Sequence, residues 1–308
     1  MLTYLVRRIL LGCVSILGAS LVIFIITRLS GDPVRLMLPV DAPASLVAST
    51  RIAMGLEKPI WEQYLIYLYN ALQGDFGRSF KWNEPAIGVI MDRIPATIEL
   101  ALAALMVSAL ISIPLGVLSA VHRGGWLDSL VKTFAMLGQA MPAFWVGLMF
   151  IVVFAVQLGW LPAFGRGGLS HLIMPALALG WYPVAAMTRV LRSAMLDVLD
   201  SDYIRVARGL GISEKKLIWK YALRNAASPL MTLLGVYFAA MLSGAFVIEV
   251  VFAWPGLGSA VVEAVFARDY PVVQAGVLFT SIMFVCTNLL VDLSYGLLDP
   301  RIRNGSRA

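Results

Sequence analysis

Charge is what this 308-residue chain has least of. Asp, Glu, Lys and Arg make up 14% of it and hydrophobic residues 60%, against about 25% charged in soluble domains. A surface that poor in charge is not kept in water, which excludes an ordinary soluble globular protein and points to an integral membrane protein. Cysteine and histidine are nearly absent, with two of each, which excludes a disulfide framework and any Cys/His cluster of zinc or haem spacing. Cys13 and Cys286 lie inside apolar runs and are expected to be buried as small hydrophobes. No phosphate-binding loop occurs. Gly209-Leu210-Gly211 and Gly256-Leu257-Gly258 each lack the third glycine of a nucleotide fingerprint. A membrane-embedded hydrolase would need a paired nucleophile and base inside its spans, and with only His122 and His171 to serve as histidine bases no catalytic site is expected. The net charge of +6 is not gathered on a soluble module and is no signature of nucleic-acid binding.

What is present is long apolar runs. Six are long enough for a bilayer, which needs about 20 residues. They are 9–27, then stretches within 99–122, 132–166, 166–189, 224–249 and 269–292. The third is expected to break near Pro142, and the fourth carries Pro175 and Pro183. Membrane helices tolerate such prolines because neighbouring helices satisfy the freed backbone groups. Fifteen of the 24 basic residues fall in loops on the side of the N-terminus. By the positive-inside rule both termini are expected in the cytoplasm. Residues 28–93 then form an extracytoplasmic segment, with a helix starting at Pro59 and Trp61, Leu65, Leu68 and Leu72 on one face.

The charged stretch 189–224 holds eight Lys and Arg residues between the fourth and fifth runs. Asp200 or Ser201 is expected to cap a short helix, Gly209 and Gly211 to break it, and Ser213 to cap a second helix with Glu214 in its first turn. On that second helix Leu217, Ile218, Tyr221 and Ala222 make an apolar stripe, and Lys216, Lys220 and Arg224 a basic one. An ordinary positive-inside loop accounts for the charge but not for paired glycines between two helices.

This loop resembles the EAA loop of membrane subunits of binding-protein-dependent ABC importers. Ala207, Gly211 and Leu223 match that motif, while Arg205 stands at its acidic position and Arg224 at its proline. The stretch DYIRVARGLGISEKKLIWKYALRNA is similar to the version in the dipeptide/oligopeptide/nickel permease branch. So are GDPV at 31–34, GDFGRSF at 74–80, IPATIELAL at 94–102, LGWLP at 158–162, FAWPGLG at 252–258, DYPVVQ at 269–274 and NLLVDLSYGLLDPRIR at 288–303. The resemblance implies an all-α integral membrane protein with six transmembrane helices and the type I ABC importer permease fold. It divides the chain into an N-terminal helix with its outer segment (1–93), a five-helix core (94–299) and a short tail (300–308).

The same resemblance implies a multi-pass permease subunit in a bacterial inner membrane that forms half of a path for di- or oligopeptides. Nickel chelates, glutathione or another small solute are the alternatives within the branch. A secondary transporter is the alternative from another class. The implied partners are a second, similar permease, two cytoplasmic ATPase subunits that bind ATP and Mg, and an extracytoplasmic substrate-binding protein. No cofactor and no enzymatic activity are expected in this chain. The residues implied in ATPase coupling are Asp202, Tyr203, Arg205, Ala207, Gly211, Ile212, Ser213, Glu214, Lys215 and Leu223. Ser243, Gly244 and Glu249 are candidates for the path, because a carboxylate in a span is a functional suspect and small residues permit close helix approach.

Overall fold

The computed structural model describes residues 2–31, 34, 42–53 and 55–298. Among them the regular structure is helical, apart from one isolated bridge between Arg78 and Pro85. In chain order the helices are α1 (Leu2–Leu29), α2 (Ala44–Ala53), α3 (Ile60–Leu72), α4 (Ala86–Val121), α5 (Trp126–Ala140), α6 (Ala143–Gln157), α7 (Leu169–Leu199), α8 (Asp202–Gly209), α9 (Glu214–Gly244), α10 (Phe246–Val251), α11 (Leu257–Phe266) and α12 (Tyr270–Leu298). Wide π-type turns occupy Ile151–Gln157 of α6 and Leu217–Ala222 of α9.

Five of these helices are long and apolar enough to cross a membrane, and α5 with α6, apolar together but bent by 105° at a short break, make a sixth where the pair is counted as one span. The break falls at Met141 and Pro142, both with extended backbone. Proline has no N–H to continue the ladder and pushes the residue before it out of the helical region. Most spans overrun the bounds expected from their apolar runs: α1 begins at Leu2, α4 at Ala86 rather than after Glu99, and α12 continues past Asp292 to Leu298. α7 continues past Arg189 to Leu199, and α9 begins at Glu214 rather than after Arg224. A charged residue ends an apolar run without ending a helix, and Lys, Arg and Glu are good helix formers. Pro175 and Pro183 lie inside α7 without breaking it.

The chain folds as two compact units, residues 1–97 with 255–289 and residues 98–254 with 290–308. In the first, Phe24 of α1 is buried against the rings of Tyr64 and Tyr67 of α3, at 5.4 and 5.7 Å. Its core gathers Val89, Ile90, Leu257, Val272 and Val273. The Thr97 hydroxyl accepts the Leu257 N–H at 2.8 Å and so meets the unpaired N–H at the start of α11. Ser79 and the Lys81 N–H share one carboxylate oxygen of Asp269. Cys13 and Cys286 are exposed rather than buried. In a membrane-spanning chain an apolar side chain is suited by lipid as well as by protein interior, so its run in sequence does not dictate burial.

In the second unit Gly180 of α7 lies close to α4. A Cβ there would stand 2.7 Å from the Ser108 hydroxyl and 3.0 Å from the Ala104 carbonyl. Small residues are what let two helix backbones approach this way. The main core joins Val117 and Ala120 of α4, Met187, Leu191 and Met195 of α7, Ile204 of α8, and Leu217, Ala222, Ala226 and Leu230 of α9. It is one apolar cluster running from the spans into the charged loop.

Beside it lies Asp128 of α5, fully buried. Arg192 of α7 grips its two carboxylate oxygens at 2.7 and 2.9 Å, Ser119 of α4 donates at 2.6 Å, and the Gly124 N–H donates at 3.0 Å. Lys132 stands 3.0 Å away. Two cations, a hydroxyl and an amide thus satisfy one carboxylate and tie three helices together. Removing one member of such a buried pair leaves the other charge uncompensated, at a cost of about 3 kcal/mol. Asp128→Ala is therefore expected to lower the thermal unfolding midpoint of the purified protein sharply, and Asp128→Ala with Arg192→Met to recover part of the loss. A midpoint unmoved by the single change would remove the network from the stability of this unit.

Candidate functional site

The site is built where α7 hands over to α9. α7 ends at Leu199 and α8 begins at Asp202 after two residues. Neither expected cap forms. The Ser201 hydroxyl turns back to the Val198 carbonyl, and the Asp200 carboxylate meets Arg123 at 3.1 Å. Ser213 stands at the cap position of α9, but its side chain makes no capping bond. The helix ends are organised differently.

At the end of α8 the Gly211 N–H donates to the Arg208 carbonyl at 3.1 Å and the Ile212 N–H to the Ala207 carbonyl at 3.3 Å. This pair of bonds closes a Schellman motif, which requires a left-handed residue after the helix. Gly211 supplies it with φ +77°, a conformation that costs glycine nothing and resists any side chain. Gly209, expected to break the helix, is instead its last residue. Across the turn the Glu214 carboxylate accepts from Arg208 at 2.6 and 3.3 Å. That hydrogen bond and charge hold the Arg208 guanidinium still further above its ordinary value, so it stays charged.

The structure brings the ten expected coupling residues into this one place. Asp202 pairs with Arg205 at 3.1 Å, and Arg205 also donates to the Asp200 carbonyl at 3.2 Å. The Tyr203 hydroxyl accepts from Asn225 of α9 at 2.7 Å. Ala207, Ile212 and Leu223 pack against the core, while Gly211, Ser213, Glu214 and Lys215 are exposed. The two stripes of the second helix fall as expected. Leu217 and Ala222 are buried, Ile218 and Tyr221 half-buried, and Lys216, Lys220 and Arg224 exposed. That helix is not separate, however. It is the leading end of α9, continuous with the fifth span.

Three residues of the site escaped sequence reasoning. Ile204 is fully buried and anchors α8 to the spans. Val206 and Leu210, at 62% and 77% exposure, stand in the open with Tyr203 at 42%. Positions 203, 206 and 210 share a helical face opposite Ile204. An exposed apolar face on a short helix among charges is what a fitted protein contact needs. The 3.6-residue period of α8 carried that signal, because Ile204 and Ala207 claim the inner face.

Ser243, Gly244 and Glu249 lie apart from this site, at the end of α9 and in α10. The Ser243 hydroxyl bonds back to the Ala239 and Ala240 carbonyls at 3.3 and 3.1 Å, and Gly244 is exposed. Glu249 is buried completely, and its backbone carbonyl accepts the Trp254 N–H at 2.7 Å. The carboxylate therefore presents no surface to a passing solute here. Glu99 pairs with Arg166, whose Nε donates at 2.9 Å.

The turn geometry yields a graded expectation. Gly211→Ala strains the left-handed residue, with a cost of about 1 kcal/mol, whereas Leu210→Asp leaves the fold intact and alters only the exposed face. Circular dichroism melts of the two variants are expected to show a lowered midpoint for the first and an unchanged one for the second. The reverse order would contradict both assignments.

The sequence matches two family models. Residues 112–304 fit the one described as the binding-protein-dependent transport system inner membrane component, and residues 1–101 fit its N-terminal companion. The chain is 39% identical to the glutathione transport system permease protein GsiC of Escherichia coli K12, covering 98% of this chain and 99% of the relative. It is 38% identical to the dipeptide transport system permease protein DppB of Alkalihalophilus pseudofirmus, covering 98% and 100%. Among solved structures, the inward-facing MetNI methionine ABC transporter superposes with a TM-score of 0.52 at 17% identity, over 67% of this chain and 96% of that one.

Proposed function

Because the chain belongs to the family of binding-protein-dependent transport system inner membrane components, and is a permease subunit of that kind, we propose that its solute is a di- or oligopeptide. The observation that carries this reading is the full-length similarity to a dipeptide permease at 38% identity. Glutathione is the second reading, favoured by the 39% identity to a glutathione permease. Both are short peptides. Family membership sets the secondary-transporter alternative aside.

ATP and Mg are assigned to two partner ATPases, since this sequence has no phosphate-binding loop. A second permease completes the path, and a binding protein delivers the solute. α8 is the element that meets an ATPase. Tyr203, Val206 and Leu210 supply the apolar contact, and Arg205, Arg208 and Lys215 the flanking charge. Ile204 and Leu217, buried in the same core as Met195 and Leu191, transmit a push on α8 to α7 and α9. In this reading ATP-driven closure rocks the spans between inward- and outward-facing states. Domain bounds follow the same scheme, with an outer segment ahead of residue 94 and a core after it. The role of Ser243, Gly244 and Glu249 in this reading is to pack the path's wall rather than to touch solute.

Uptake is the test. Cells lacking the chain are expected to lose import of labelled dipeptide and regain it on complementation. Leu210→Asp is expected to lower import more than tenfold with normal membrane levels and loss of ATPase copurification. Import at the wild-type level would refute the coupling role of α8. Topology has its own check. Single cysteines at Gln73 and Lys215, both exposed, in a background lacking Cys13 and Cys286, are expected to react with an impermeant thiol reagent from outside and inside respectively. Labelling of position 215 from outside would invert the chain.

A further inference from the structure

The first unit contains a cavity of about 610 Å³ walled by the end of α1, by α3, by the loop after α3 and by the start of α12. Solute sites of roughly 300–1,000 Å³ are typical, so the space suits a peptide of a few residues and far exceeds a metal ion. Its lining is of three kinds. Arg28 and Arg78 bring cations, Asp75 brings an anion, and Tyr67, Phe76 and Tyr270 bring aromatic surface. Asp75 and Arg78 are exposed, whereas Tyr270 is buried.

The charged groups are held in place. One nitrogen of Arg78 donates to the Asn83 carbonyl at 2.7 Å, which fixes the side chain and leaves the rest of its fork for a carboxylate. One oxygen of Asp75 accepts the Gly77 N–H at 2.9 Å, leaving the other for an ammonium group. The wall also holds polar atoms that lack a hydrogen-bond partner among the described residues: Gln63 Oε1 and the hydroxyls of Tyr67 and Tyr270. The Gln63 amide nitrogen is used twice, donating to the Leu56 and Lys58 carbonyls at 3.1 and 2.8 Å, so its orientation is set and the oxygen is the spare acceptor. Burial, with Tyr64 close by, pushes the Tyr67 hydroxyl up to about 12, so it stays a donor. Buried polar atoms without partners are costly and uncommon in native proteins.

We propose that this cavity is a solute site on the permease itself, taking a short peptide with a free carboxylate toward Arg78 and a free ammonium toward Asp75. The site deepens the peptide reading and rests on it. It lies apart from Ser243, Gly244 and Glu249 in the chain and would hold peptide on the side where residues 28–93 are expected to face outward.

The full chain, in nanodiscs of pure phosphatidylglycerol, is titrated calorimetrically with alanyl-alanine. Saturable binding is expected, weakened at least tenfold by N-acetylation or by C-terminal amidation. Asp75→Asn, which keeps the acceptor for Gly77, is expected to erase the penalty for acetylation, and Arg78→Gln that for amidation, with melting points unchanged. No saturable binding, or binding indifferent to both substitutions, overturns the proposal. So does displacement of the peptide when phosphatidylethanolamine is added, because that headgroup carries the same pair of charges and would then own the site. Silent titrations alongside dipeptide import that depends on the chain would condemn the cavity alone. Import that does not depend on the chain would condemn the peptide reading.

Discussion

A carboxylate without access to water sits where three helices meet, and the order of its unit depends on how it is satisfied. Asp128 has no exposed surface, so each lone pair left unmet would cost what hydration used to supply. Arg192 meets two, Ser119 and the Gly124 N–H meet others, and Lys132 adds charge from one turn on. An apolar contact between helices tolerates sliding, because lipid competes with it on nearly equal terms. A bidentate ion pair on a buried carboxylate does not, since a small shift leaves an unpaired charge. α4, α5 and α7 therefore have one register at this end.

That register matters because α7 is the helix that delivers the loop. Seven residues after Arg192 it ends, and α8 follows after two more. The apolar cluster that holds Leu191 and Met195 also holds Ile204 and Leu217. There is no flexible tether between the spans and the exposed face of α8. The glycine turn sets the angle at which α8 returns into α9, and the Arg208–Glu214 pair spans that turn. Exposed ion pairs contribute little to stability, so this one is better seen as fixing a direction than as holding the fold.

The two units use polarity differently. In one, charge is gathered into Asp128 and consumed there. In the other, buried polar atoms of Gln63, Tyr67 and Tyr270 are left with hydrogen-bonding capacity among the described residues. A folded chain keeps such atoms at a cost, and a cavity beside them gives the cost a use. Aromatic packing between Phe24, Tyr64 and Tyr67 supports that wall from behind.

Much of this protein was legible in its sequence. Low charge and six apolar runs determined a polytopic helical membrane protein, because bilayer length and backbone satisfaction leave few other solutions. Pro142 marked the break in the third span, and Gly211 the turn, since each residue has a backbone constraint that acts locally. The amphipathic period marked the inner and outer faces of the second helix of the loop. The helix ends were not legible. Asp200 and Ser201 are good capping residues, yet their side chains went to Arg123 and Val198, and α9 ran on through its charges into a span. Nor did sequence distinguish lipid-facing from buried apolar residues, as Cys13 and Cys286 illustrate. Nothing in the sequence singled out Asp128, because Ser119 and Arg192, which complete its network from other helices, lie 9 and 64 residues away. Sequence determined what each segment had to bury and where the backbone could turn. Only the tertiary structure decided which polar groups would meet, because pairing energy depends on distance in space and carries no local pattern.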